Sequence, residues 1–107
     1  MEPVLLVIPE CPNSASAKEL FDTALELEGI GAPAIVREIS TEDEAALHKF
    51  HGSPSFSVNG HDLFESAAEP AVACRVYRTP DGLAGQPTLE DLRRAIRASR
   101  QTPGPAA

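Results

Sequence analysis

Val4-Leu5-Leu6-Val7-Ile8 is an unbroken apolar run set between Pro3 and Pro9. A short run of this kind with β-branched members predicts a strand buried on both faces. Glu10-Cys11-Pro12-Asn13-Ser14 follows as a turn-rich loop that opens a helix. From Ala17 onward the apolar residues Ala17, Leu20, Phe21, Ala24 and Leu25 keep helical spacing, with Glu19, Asp22, Glu26 and Glu28 on the other side. Gly29 and Gly31 supply the stop. Residues 34–39 read as a second strand. Ser40 and Thr41 each have an acid three residues later, which predicts an N-cap and a short helix through Ala45, Ala46, Leu47 and Phe50, ended by Gly52.

Residues 53–58 alternate towards a third strand, and Asn59-Gly60 is a strong hairpin-turn signal. The stretch from His61 to Pro70 lacks a clear period and reads as a loop. Residues 73–79 alternate small or apolar with polar side chains, predicting a fourth strand closed by Pro80-Asp81-Gly82. Thr88 caps a last helix, with Leu89, Leu92 and Ile96 on one face and Arg93, Arg94, Arg97 and Arg100 mostly on the other. The order strand, helix, strand, helix, strand, strand, helix (βαβαββα) implies a parallel opening pair with a right-handed crossover, then an antiparallel pair. The expected fold is α/β, a mixed four-stranded sheet flanked by three helices. One domain is expected over residues 1–100, with 101–107 as a flexible tail.

At 107 residues the chain has room for one core. Nine Lys+Arg against 16 Asp+Glu leave a net charge of −7, which argues against nucleic acid and against anionic membranes as partners. No apolar stretch approaches a membrane span of about 20 residues, and Met1-Glu2-Pro3-Val4 lacks the basic start of a signal peptide. A soluble cytoplasmic protein is expected. Its two cysteines, Cys11 and Cys74, are too few for a disulfide scaffold or a four-thiolate zinc site.

A Cys-Pro-x-x motif directly after the first strand and Gly52-Ser53-Pro54 opening the third resemble the thioredoxin-like superfamily, over roughly residues 3 to 100. The resemblance implies a cis proline at Pro54, packed beside an active cysteine at Cys11. Cys74-Arg75-Val76-Tyr77 and the run from Pro80 to Pro87 are similar to a small bacterial thioredoxin-like group, some of whose members carry glutaredoxin-like or alkylmercury lyase labels.

Cys11 is the candidate nucleophile, because a helix N-terminus favours thiolate over thiol. The plainer reading, a small buried hydrophobe, stands beside it. Pro12 suits the first helical turn. The family's second cysteine is replaced by Ser14, so the loop Cys11-Pro12-Asn13-Ser14 cannot close a disulfide of its own. One-cysteine chemistry remains: a mixed disulfide with a small thiol such as glutathione or with a protein thiol, attack on a peroxide, or soft-metal capture. Ser14 either donates to the Cys11 thiolate or caps the helix. Pro12, Asn13, Ser53 and Pro54 are the candidate substrate-binding residues, with Ser53-Pro54 offering backbone to a bound thiol or peptide as a sheet edge does. No cofactor is expected beyond glutathione as a co-substrate, and the oligomeric state is left open.

Cys74, as an early residue of the expected fourth strand, is placed more than about 10 Å from the active loop. That is beyond the roughly 7 Å between Cα atoms that a disulfide tolerates, so Cys74 reads as structural. Arg78, at the other end of that strand, would approach Cys11 and stabilise a thiolate or a substrate carboxylate, but the preferred reading is a solvated surface arginine. His48 and His51 sit three apart, too few with Cys11 for zinc's three or four ligands, so no metal site is expected. Glu65-Ser66 matches a γ-glutamyl-binding pair of glutathione transferases but reads as loop, since Pro70 interrupts any helix there. Two opposing functions stay in view: a binding module that kept the fold without the chemistry, and organomercurial or soft-metal handling, which needs two convergent thiolates.

Overall fold

The structure, a computed structural model, describes residues 2–64 and 69–101. Its central strand is the apolar run. β1 (Pro3–Val7) is buried at every position. It pairs in parallel with β2 (Ile35–Glu38), Val4 opposite Ile35 and Val7 opposite Glu38. On its other edge it pairs antiparallel with β3 (Ser55–Val58), Leu6 opposite Ser55 and Pro3 opposite Val58. A two-residue strand, β4 (His61–Asp62), completes a mixed four-stranded sheet in the order β2-β1-β3-β4.

A strand apolar on both faces needs a layer on each side. Leu5 and Val7 point into a core with Phe21, Ala24 and Leu25 of α1 (Ser14–Leu27) and Leu92 and Ile96 of α3 (Leu89–Gln101). Val4 and Leu6 face the opposite way, towards Ile39, Phe50 and Ala45 of α2 (Glu42–Leu47). The larger core is held by edge-to-face rings: Phe56 lies 5.2 Å from Phe21 and 6.0 Å from Tyr77 between centroids, and Phe64 closes the set 5.3 Å from Tyr77.

The starts of α2 and α3 follow the expected caps. Thr41 Oγ1 accepts from the Glu44 N–H (3.1 Å), while Glu44 reaches back to the Ser40 N–H (3.1 Å). Thr88 Oγ1 accepts from the Asp91 N–H at 3.1 Å. The arginines of α3 do more than face solvent. Arg93 Nε meets Glu28 Oε2 at 2.7 Å, Arg97 Nε approaches Oε1 at 3.3 Å, and Arg100 donates to the Glu28 carbonyl at 2.7 Å. Glu28 is the C-cap of α1, so the two long helices are tied at one end.

The expected fourth strand is corrected. Asn59 (φ 53°) and Gly60 (φ 83°) form the tight turn, and the chain returns at once as β4, where a loop was read. Residues 73–79 do not join the main sheet as a strand. Tyr77–Thr79 form β5, which pairs with β6 (Gly82–Ala84) as a separate hairpin. Its turn is stitched by Thr79 Oγ1, which donates to the Gly82 carbonyl (2.6 Å) and accepts from the Asp81 N–H (3.3 Å). Alternation marks one buried side chain in two; it does not say which sheet supplies the partner. Gln101, expected in the tail, closes α3, and 102–107 lie outside the described residues. Among the described residues no helix is long and apolar enough to cross a membrane.

Two outcomes check this packing. Phe56→Ala should cost about 3–5 kcal/mol by urea denaturation, and a loss below about 1 kcal/mol would misplace the core. Asp22 concerns pH. Burial alone would raise its carboxyl, but hydrogen bonds from Lys18 and from the Ala34 N–H (2.9 Å), with the Lys18 charge, hold it below the ordinary carboxylate value. A lowered folded-state value stabilises the native chain above the unfolded value and is lost as pH falls through the folded one. Urea midpoints should therefore fall less steeply below about pH 4 in Asp22→Asn than in the parent chain. Parallel curves would remove Asp22 from the account.

Candidate functional site

The chain leaves β1 through Ile8, Pro9 and Glu10, the last at a left-handed φ of 59°, and turns into Cys11. The Cys11 N–H donates to the Ile8 carbonyl (3.3 Å), and the Cys11 carbonyl accepts from the Ser14 N–H (3.1 Å). Asn13 is the N-cap of α1 and Ser14 its first helical residue, so Cys11 and Pro12 stand just ahead of the helix. Two expectations are corrected here. Pro12 precedes the first turn, and Ser14 is not the cap. Asn13 holds that place without a side-chain bond to the helix.

Cys11 is 8% exposed and packs within the larger core, while Cys74 is exposed. The segment after β6 passes the start of α1. Gly85 passes so close to Asn13 that a Cβ on it would stand 2.4 Å from Asn13 Nδ2. Next to it Gln86 Oε1 lies 3.0 Å from the Ser16 hydroxyl. The run from Pro80 to Pro87 thus reaches the start of α1, a contact that spacing along the chain did not signal.

Ser53-Pro54 lies just beyond the Leu6–Ser55 pair, at the end of β1 from which the Cys11 loop departs. Its peptide bond is cis. The Ser53 N–H donates to the Ala73 carbonyl (2.8 Å) and its carbonyl accepts from the Arg75 N–H (2.9 Å), so Cys74 bridges Ser53 in parallel. The Pro54 carbonyl accepts from the Tyr77 hydroxyl. Two further expectations change. Cys74 is not at the far end of the sheet but beside Ser53. The Ser53-Pro54 backbone, expected to be offered to a ligand, is taken by the chain itself. Ser53 Oγ, by contrast, is buried with no partner.

The basic side chain that organises this end is Arg75, for which the sequence alone suggests no role. Arg75 Nη1 donates to Asp62 Oδ2 (2.7 Å) and Ser55 Oγ (3.2 Å), Nη2 donates to the Phe64 carbonyl, and the guanidinium stands 4.8 Å from the Tyr77 ring centroid. Its backbone passes Gly52 (φ 117°), where a Cβ would meet Arg75 Cβ at 2.8 Å. Burial pushes the Tyr77 phenol well above its ordinary value, outweighing the Arg75 charge beside it, so the hydroxyl stays a donor to Pro54. Arg78 is exposed on β5 and makes no hydrogen bond or ion pair among the described residues. The alternation that placed Arg75 and Tyr77 on one side of the segment was the available signal. Glu65-Ser66 lies outside the described residues.

His48, His51 and His61 border a single cleft on the Val4 and Leu6 side of the sheet, opposite the core that holds Cys11. Among the described residues, no three His, Cys, Asp or Glu side chains converge as a metal site requires.

Removing one member of a buried charge pair leaves the other uncompensated. Arg75→Gln should therefore cost about 3 kcal/mol in urea denaturation, and much less in an Asp62→Asn background. Equal losses in the two backgrounds would show that the pair is not coupled. No protein-family model matches the chain, and neither a characterised protein nor a solved structure does, so the chemistry of this site stands on its own geometry.

Proposed function

We propose that this is a thioredoxin-like monothiol protein in which Cys11 exchanges with a small disulfide, glutathione disulfide being the best candidate. The supporting observation is the place of Cys11: in the loop between the end of the central strand and the start of α1, at the end of β1 that also carries Ser53-Pro54. Backbone N–H groups at the start of a helix favour the negative charge that forms on sulfur. In the reaction the Cys11 thiolate attacks one sulfur of glutathione disulfide. A Cys11–glutathione disulfide forms and one glutathione leaves as its thiolate. A second glutathione thiolate reverses the step on the glutathione sulfur and regenerates Cys11.

The pairing of Ser53 narrows the substrate class. An extended peptide seeking that backbone would have to displace residues 73–75, whereas a small disulfide needs only the thiol. Ser14, with no second sulfur at its position, leaves the mixed disulfide to be resolved by an external thiol. The burial of Cys11 favours a second reading, a binding module that keeps the fold and uses no thiol chemistry.

Incubation with glutathione disulfide, followed by peptide mass spectrometry, separates the two. The adduct is expected on Cys11 in the parent chain and in Cys74→Ser, and thiol-reversible at a rate well above that of Cys74. An adduct confined to the exposed Cys74, with Cys11 unmodified under native conditions, would overturn the proposal in favour of the binding module.

A further inference from the structure

The cleft opposite Cys11 has a volume of about 650 Å³ and is floored by Val4, Leu6, Ser55 and Ser57 of the two central strands. The floor hydroxyls are already engaged: Ser57 donates to the Val4 carbonyl (3.0 Å) and Ser55 to the Gly52 carbonyl (2.5 Å). Directional recognition must then come from the walls. These carry Arg37 of β2, Lys49 after α2, and all three histidines of the chain.

Charge pairing makes the choice of ligand. In a chain of net charge −7, cations have acids to spare, and most find partners. Lys18, Arg75, Arg93, Arg94 and Arg97 each meet a carboxylate, and Arg100 meets a carbonyl. Among the described residues the side chains of Arg37, Lys49 and Arg78 make no hydrogen bond or ion pair, and two of these three stand on the cleft. The acids there do not cancel them. Asp62 is bound by Arg75 (2.7 Å) and by the Phe64 N–H (2.8 Å), which leaves Glu2 alone. His51 adds a polar side chain on the cleft whose Nδ1 is shut from solvent without a partner.

We propose that this cleft binds a compact organic anion, a carboxylate or phosphate ester whose charge meets Arg37 and Lys49 while its apolar body lies on Val4, Leu6 and the exposed Leu47. A guanidinium presents a two-pronged donor that fits either oxyanion, and an ammonium adds a point charge. Leu47, 77% exposed, supplies apolar surface at the rim. The site is on the other side of the sheet from Cys11 and is independent of its thiol.

The test is an NMR titration of the full chain, following the three histidine imidazoles, with phenyl phosphate, phenylacetate and, as the cationic control, benzylamine. Saturable shifts are expected with at least one anion and none with benzylamine, and which anion saturates first identifies the oxyanion preferred. Arg37→Gln combined with Lys49→Gln, both at exposed positions, should weaken binding about tenfold or more while circular dichroism stays unchanged. No saturation by either anion up to about 20 mM, an equal response to benzylamine, or undiminished binding in the double variant would each overturn the proposal.

Discussion

The sheet is organised around β1, because a strand that is apolar on both faces and paired on both edges leaves its neighbours little choice. Its edges fix β2 as a parallel partner and β3 as an antiparallel one. Its faces demand two layers, and the chain supplies them unequally. On the Leu5 and Val7 side lie two long helices and the aromatic set around Phe56. On the Val4 and Leu6 side lies α2, six residues long, with Ile39 and Phe50. A helix of that length covers about 9 Å of axis, less than the strands beneath it span, and the cleft is the part of the sheet left over.

Residues 73–75 impose a second constraint at the other end of β3. Buried backbone groups must be paired, and Ser53, 1% exposed, has its N–H and carbonyl satisfied by Ala73 and Arg75. The same segment sends the Arg75 side chain inward to Asp62, Ser55 and the Phe64 carbonyl, and sets Tyr77 against Pro54. Backbone and side-chain bonds therefore hold one short stretch across the start of β3. Together with Gly85 and Gln86 over the start of α1, they enclose the Cys11 end of the sheet.

Local signals were legible where the physics is local. The run from Val4 to Ile8, the caps at Thr41 and Thr88 and the Asn59-Gly60 turn are each decided within a few residues, and the elements they mark are present. The α/β class and the mixed four-stranded sheet with three helices follow from their order. The membership of the sheet did not, because residues 73–79 carry a strand's alternation and yet, among the described residues, make one isolated backbone bridge, Cys74 with Ser53, in place of a ladder on the main sheet. Placing Cys74 at the far end was an error inherited from that one assignment. The burial of Cys11 and the gathering of three histidines depend on residues far apart in the chain, and no periodicity reports them.

Charge ties the two faces together. The acids that give the chain its net charge of −7 are used to hold elements in place: Glu28 joins α3 to α1, Asp62 anchors Arg75, and Asp22 fastens Ala34, at the entry to β2, to α1. The cations they recruit already have a carboxylate partner. Positive charge left without a structural task is then scarce, and its position carries information that net charge conceals. Exposed charges more than about 8 Å apart are largely screened at physiological ionic strength, so an anion close to the sheet responds to the groups within that reach rather than to the whole molecule. On the Val4 and Leu6 face those groups are Arg37, Lys49 and three imidazoles, with Glu2 as the acid not already bound. An acidic protein can in this way present a cationic cleft without altering the sign of its overall field.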